Sequence, residues 1–375
     1  MEEPKTPAET EPGHLEFGWF LPTAGDATRL GDRTAHIPAS LELFDRVIAA
    51  AESSGFEYLL VPINTECWEA WITAAMMVTR SRSIRMLVAA RPGHISPFLV
   101  AKMVTTFDQL SGGRISVNLI AGQSEAENRA EGIVAGKEER YEQMREEVAI
   151  MKRLWTSTAP VDIDGGFHHL VGARVVPSPF QQPHPRFYLG GGSAQAWSIS
   201  AEHADVHLFW GDTYERIASN IADIRALAGE HGRGAHIRFG MRMQIVCRKT
   251  EVEAWEAADD LVSAVTARHT EQLRATVSTS AANRRVQELA ETHGDLIEAN
   301  LWTGITRIRP GAGIAIVGDP YQCADVLQNY IDLGCDSFCL SGYLHDEEAE
   351  RFARLVRPII ASRNPSRLRP IEPVG

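Results

Sequence analysis

Polar residues stand at the ends of apolar runs throughout this chain, or a few positions beyond them: Asn64 with Cys67, Arg91, Asn118, Ser193, Trp210, Arg242 with Gln244, Arg309, and Tyr343 with His345. One such residue carries no message, but many supplying Arg, His, Tyr, Trp, Asn and Cys describe a pocket. A guanidinium binds planar or tetrahedral oxyanions through several N–H donors. Arg242 and Arg309 together therefore suit a sulfonate, phosphate or carboxylate, whereas either alone is more simply half of a structural ion pair. Tyr343 and His345 alternate in SGYLH, a spacing that suits orienting an anion or passing a proton, or equally a hydrogen-bonded core pair. Cys67 has the chemistry of a nucleophile, yet no His-based dyad is legible near it, and a small pocket-lining thiol is the simpler reading. Trp210 closes the run VHLFW, as barrel core more readily than as a ligand wall.

The triple glycine 190–192 with Ser193 follows a β-type run and opens a helix. Backbone N–H groups, a helix N-terminus and a hydroxyl there would cradle a phosphate; the alternative is a tight turn that needs glycine for its own sake. In TRIRPGAG, Arg307 and Arg309 share a face if the segment is extended. His168 and His169 read as loop residues, Asp319 as the cap of the helix that follows, and Cys335 and Cys339 as core.

These side chains need a scaffold that brings them to one end. Eight β-type runs (15–21, 58–62, 84–90, 115–120, 187–189, 206–210, 238–246 and 335–340) alternate with helical segments. Several runs are apolar on both faces, as buried parallel strands are. With no early Gly-rich dinucleotide fingerprint, this favours an α/β fold of the closed (β/α)₈ TIM-barrel type, whose reactive groups come from the C-terminal ends of its strands. The expected organisation is a leader over 1–14, one barrel domain over 15–365 and a tail over 366–375. Residues 162–179 read as a hairpin excursion, and the polar stretch 267–300 as a mobile lid or a surface helical pair.

The 375 residues carry a formal charge of −12, which argues against nucleic acid or an anionic membrane as partner. No window is apolar enough to span a bilayer, and the acidic, Pro-rich start is no signal peptide. The five cysteines form neither a zinc pattern nor a disulfide framework, so a cytoplasmic chain without a metal is expected.

The segments FGWFLPTAGD, AARPGHISPFLVAKMVTTFDQLSGGRISVNLIAG, EERYE, HPRFYLGGGS, WGD, IRFGMR, NLWTGITRIRPGAGIAIVGD and DSFCLSGYLHDEEAERF occur in this order. Together they resemble the FMNH₂-dependent alkanesulfonate monooxygenases of the bacterial luciferase-like superfamily, over residues 17–360. The resemblance implies a TIM barrel with insertions, a homodimer or homotetramer, and reduced FMN delivered by a separate NAD(P)H:FMN reductase. It also implies cleavage of an organosulfonate C–S bond with O₂, releasing sulfite and an aldehyde. Carried over by motif, Ile63, Asn64, Asn118, Arg140, Tyr141 and Ser193 would contact flavin, with Glu127 a weaker match. Cys67, Trp210, Arg242, Arg309, Tyr343 and His345 would form the reaction site, the substrate itself meeting Trp210, Arg242, Gln244, Arg309, Tyr343 and His345.

Two departures bear on substrate. Ala24 and Gln244 stand where the alkanesulfonate enzymes carry histidines. Two imidazoles fewer leave volume and substitute an amide, pointing to a more hydroxylated sulfonate such as sulfoquinovose. The alternatives are a luciferase-like monooxygenase acting on a sulfone, amine or ketone, and an F420-dependent oxidoreductase barrel. A barrel that binds a phosphorylated ligand without redox chemistry would leave Trp210, Tyr343 and His345 idle.

Overall fold

The computed structural model describes residues 13–122, 124–277 and 280–368. Eight parallel strands form the frame: β1 (Glu16–Phe20), β2 (Tyr58–Val61), β3 (Arg85–Ala90), β4 (Ile115–Leu119), β5 (Phe187–Gly190), β6 (Val206–Trp210), β7 (Arg238–Cys247) and β8 (Cys335–Ser341). Each pairs with the next, β8 lies between β7 and β1, and Val206–Trp210 pairs residue by residue with Arg238–Arg242 to complete the ring. The sheet is therefore the closed barrel that the eight apolar runs predict.

Alternation divides each strand between two cores. Phe17, Trp19, Leu59, Val61, Met86 and Val88 face the surrounding helices, while Phe20, Tyr58, Leu60, Leu87, Tyr188, Leu208 and Cys339 fill the barrel. At its floor the buried Glu16 receives Arg85 at 2.9 Å and Arg186 at 3.3 Å, with Tyr188 and Ser337 donating to its other oxygen. One layer up, Gly18 is required: a Cβ there would lie 2.1 Å from the Tyr58 ring. The rim layer above holds the polar side chains of interest.

Helix ends follow local chemistry. Pro97–Ser111 starts on the Ser96 hydroxyl with proline in its first turn and stops at Gly112, whose φ is +64°. The excursion is an antiparallel hairpin, Val161–Asp164 with His169–Ala173, so His169 lies in a strand rather than a loop. Glu146 accepts the Gly166, Phe167 and His168 N–H groups at its turn. Asp319 caps Pro320–Asp332 as expected.

Sequence reading missed one arm of the sheet. Ala315–Gly318 pairs in parallel with the upper half of β7, and Leu301–Trp302 and Leu296–Glu298 extend it antiparallel. The stretch 267–300 forms two helices, Ala267–Val277 and Ala281–His293, before that arm. The second is fastened to the rim: Arg285 makes two 2.7 Å bonds to Asp212, and Asn283 accepts the Gly311 N–H at 2.8 Å. Of the expected leader, 1–12 lies outside the described residues, while His14 is buried and bonds Glu57 at 2.9 Å. Of the expected tail, 369–375 lies outside them, while Arg367 donates to the Gly13 carbonyl and Leu368 is buried.

Candidate active site

Because all eight strands run the same way, their C-terminal ends share one rim, and the singled-out residues lie there or in the loops that leave it. Phe20, the last residue of β1, is the platform. The Arg242 guanidinium carbon lies 4.7 Å from its ring centre and that of Arg309 5.4 Å. The His345 ring is 5.8 Å from Phe20 and 5.2 Å from Tyr343, which it meets edge-on. Arg309 Nε donates to the Tyr343 hydroxyl at 3.0 Å. Strand β1, strand β7, the loop after β8 and the segment after the helical pair thus converge on one small volume.

Arg242 is buried and underused. Its Nη1 donates to the Met243 carbonyl at 2.9 Å, while Nη2 meets no partner among the described residues. The ionisable groups that act on it most are Cys339, Arg309, Tyr343 and Tyr58, none of them a carboxylate. Burial pushes its guanidinium down to about 10, with Arg309 adding to the effect, so the cation persists at neutral pH. Burial likewise raises the thiol of Cys339, its register partner on β8, to about 11. A buried cation lacking a counter-charge is a site that expects an anion from outside.

Arg309 reaches this volume without Arg307. Residues Gly304–Arg307 form a 3₁₀ turn rather than an extended run, so the two arginines do not share a face. Arg307 is exposed and pairs with Asp295.

Gln244 lies one inward position above Arg242 and is buried, but its polar atoms are largely committed. Its carbonyl accepts the Ser341 hydroxyl at 2.7 Å, and its amide donates to the Ala312 carbonyl at 3.2 Å, leaving one N–H for anything else. Ala24 is exposed in the loop after β1. Trp210 is half-buried at the end of β6. Cys67 is half-buried too; burial raises its thiol above the usual range, which weighs against an easily formed thiolate.

On the opposite side of the rim lies a glycine turn that opens a helix. Gly191, at φ +138°, would bring a Cβ to 2.9 Å from Ala196 Cβ and 3.7 Å from the Tyr141 hydroxyl, and nothing lies within 4 Å of where a Gly192 Cβ would be. Ser193 caps the ten-residue helix Ala194–His203 by accepting the Ala196 N–H at 3.3 Å. Burial raises the Tyr141 phenol, which keeps it a donor at neutral pH. Asn118, inward on β4, is buried and bonds no described side chain or backbone. Together these supply the donors a nucleotide-like phosphate and an adjoining polar ring edge require.

Other expected contacts serve the loops. Arg140 donates to the Ala121 carbonyl at 3.0 Å, to Ala135 at 2.7 Å and to Glu125 at 2.7 Å, so it shapes the loop after β4. Glu127 pairs with the buried Arg91 at 2.8 Å and accepts the Thr65 N–H at 3.0 Å, tying that loop to the one after β2. Asn64 is exposed there and caps the Glu66 N–H at 2.8 Å; Ile63 is half-buried, with its carbonyl 3.5 Å from Arg91 Nη2.

Two features escaped sequence reading. Phe20 was one aromatic among many in LEFGWFL. Asp26 was visible only as part of FGWFLPTAGD, yet its carboxylate meets His345 twice, through the backbone N–H at 2.8 Å and through Nδ1 at 2.9 Å. Among the described residues, no group of three or more His, Cys, Asp or Glu is placed to hold a metal ion, and no helix is long and apolar enough to cross a membrane.

Comparison with known proteins agrees with this picture. Residues 15–337 match the family model described as luciferase-like monooxygenase. Among solved structures, a riboflavin lyase is similar at 18% identity and TM-score 0.78, over 94% of this chain and 92% of that one. An EDTA monooxygenase from Chelativorans sp. BNC1 is similar at 19% and 0.75, over 93% and 94%. An F420-dependent secondary alcohol dehydrogenase is similar at 16% and 0.65, over 92% and 99%. At such identities these likenesses speak for the fold.

Proposed function

Because this chain belongs to the luciferase-like monooxygenase family, we propose that it is a two-component, FMNH₂-dependent monooxygenase that cleaves the C–S bond of an organosulfonate. The observation that carries the substrate class is Arg242: buried, stacked on Phe20, with Nη2 unpartnered and no carboxylate near it. A sulfonate supplies the missing negative charge and several acceptor oxygens. Arg309, bonded to Tyr343, supplies further donors at the same Phe20 ring.

The residues present fit FMN. Gly191, Gly192, Ser193 and Tyr141 would hold its phosphate, and Asn118 with the Ile63 backbone would meet the ring edge. Bound reduced FMN supplies the electrons that activate O₂. Overall, RCH₂SO₃⁻, FMNH₂ and O₂ give an aldehyde, hydrogen sulfite, FMN and water. One oxygen atom ends on carbon and the other in water, while sulfur departs with its three oxygens.

The chain's own work is positional and electrostatic. Arg242 and Arg309 grip the sulfonate and stabilise the same oxygens as they leave on sulfite. His345 stands next to that anion and can give or take a proton there. The helical pair 267–293 bears on the Arg309 segment through Asn283, which couples its placement to the completeness of the anion grip. The reductase partner, the cytoplasmic setting and the homo-oligomer belong to the same proposal.

The test is sulfite release by purified protein with FMN, NADH and a flavin reductase, comparing sulfoquinovose with short and long alkanesulfonates. Sulfite from the sugar supports a polar sulfonate; sulfite only from alkanesulfonates keeps the reaction and discards the sugar. The Gln244 geometry sharpens this contrast, since one amide N–H is what remains to read a hydroxyl. No sulfite from any of them, with O₂ consumed on a sulfone, amine or ketone, would replace the substrate class. Substrate oxidation without O₂ consumption would indicate F420 chemistry.

A further inference from the structure

Asp26 has no task in the reaction as described, yet it is among the most constrained carboxylates of the rim. It is 2% exposed. Its Oδ2 accepts the His345 backbone N–H at 2.8 Å and its Oδ1 accepts the Ala27 N–H at 2.8 Å; Oδ1 also lies 2.9 Å from His345 Nδ1, an ion-pair contact off the line of a hydrogen bond but too close for an unprotonated nitrogen to face a carboxylate. The Trp19 indole N–H donates to the His345 carbonyl at 2.9 Å, so the same residue is gripped from both ends of its peptide. Two backbone N–H groups already give this carboxylate a partner for each oxygen. The contact with the ring is additional, and it selects one edge of the imidazole.

We propose that Asp26 is a positioning residue: it holds the proton on His345 Nδ1 and thereby presents Nε2 to the barrel mouth as the atom that exchanges a proton with the bound anion. A carboxylate at one ring nitrogen fixes both the orientation and the tautomer of a histidine. Nε2 bonds no described residue, which leaves it available. Burial works against ionisation of Asp26, but the His345 ring and the N–H donors outweigh it and hold the carboxyl below its usual range. The groups facing His345 are few. Tyr343 touches its ring and carries Arg309 behind it, and Phe20 of β1 is apolar. On the outer side, Asp346 is taken up by Arg46 at 2.9 Å, and Glu348, a turn further on, by Arg248 and Arg351. Asp26 is thus the carboxylate that addresses the ring.

This assignment rests on the rim being the reaction site, and its test separates the two. Long-range ¹H–¹⁵N spectra of the full chain labelled at histidine nitrogen, with the His345 signals identified by their loss in His345→Ala, read the tautomer directly. The neutral ring is expected as the Nδ1–H form, the minor form of free histidine. An Nε2–H ring in the wild-type protein overturns the proposal, and this reading needs neither a folded Asp26 variant nor a turning-over enzyme. In Asp26→Asn, kcat is expected to fall about 10²-fold or more with KM within about threefold, since the anion grip is untouched. Unchanged kcat in a folded Asp26→Asn protein overturns it as well. Failure of the wild type to release sulfite from any sulfonate would remove the substrate reading and leave the tautomer result to decide on Asp26.

Discussion

Replacing Arg242 by methionine should make the protein more stable and nearly inactive. The guanidinium is buried, one of its nitrogens has no acceptor, and no carboxylate faces it. A buried unpaired ion costs several kcal/mol after relaxation, and stacking on Phe20 returns about 0.5–2 kcal/mol of that. Methionine has nearly the same length and no group that needs a partner. The balance favours Arg242→Met by about 1–3 kcal/mol, comparable with the gain of about 1–4 kcal/mol when buried ions give way to apolar side chains. In a chain of this size that is a rise in Tm of about 2–6 °C, each kcal/mol moving a large domain by roughly 2 °C. Function moves the other way. Each charge-assisted bond to a sulfonate oxygen is worth about 1.5–3 kcal/mol, so losing two lowers kcat/KM by about 10²–10⁴-fold. Differential scanning calorimetry of both proteins without ligand, and sulfite release under saturating FMNH₂ and O₂, check the two halves. A lower Tm for Arg242→Met would show that the arginine is a structural element whose partner lies within the fold. A higher Tm with undiminished turnover would place the anion elsewhere.

Gly191→Ala should leave the barrel folded but weaken FMN binding at least about tenfold, because its Cβ would press on Ala196 in a backbone region that L residues avoid; quenching of FMN fluorescence measures this. Arg285→Ala removes the two hydrogen bonds to Asp212 from a side chain 42% exposed, so global stability should change by less than about 1 kcal/mol. Amide exchange over 281–293 should nonetheless accelerate about tenfold or more, and unchanged exchange would show that Asn283 and the helix packing suffice. Burial opposes ionisation of Glu16, but Arg85, Arg238 and Arg186 together hold its carboxyl well below the usual range. The folded value is depressed, so its stabilisation is fully present above its ordinary 4.5 and is lost as pH falls below that. Glu16→Gln should therefore cost about 3–5 kcal/mol at pH 7 in urea unfolding, with the gap to wild type closing in acid.

Strands were legible where burial on both faces leaves a continuous apolar run, as in YLLV of β2 and VHLFW of β6. The arm Leu296–Glu298, Leu301–Trp302 and Ala315–Gly318 was not, because pieces of two to four residues carry too little periodicity and one flank is a 3₁₀ turn. That turn is also why Arg307 and Arg309 part company. At the site, residue types were readable and partners were not. Gln244 reads as a free amide, but the atoms that occupy it belong to Ser341 and Ala312, 97 and 68 positions away. Arg140 stands by motif at the flavin, but that Glu125 and two carbonyls engage its donors is visible only in the fold. Asp26 and His345 are 319 residues apart, and nothing local to either announces the pair.

The chain carries −12 overall, yet its rim gathers Arg242, Arg309 and His345 around one ring, with Asp26 set against His345 alone. These facts do not conflict, because exposed charges are screened beyond roughly 8–10 Å at physiological salt while buried ones are not. An anion approaching this protein gains little from long range and much from the last few ångströms. Capture should accordingly depend on fit to the arginines rather than on steering, and salt should compete by occupying the rim rather than by shielding it. The unpaired Nη2 of Arg242 is then both the source of the site's selectivity and a standing cost to the free protein. An anion that satisfies it stabilises the fold through the same contact by which it is bound.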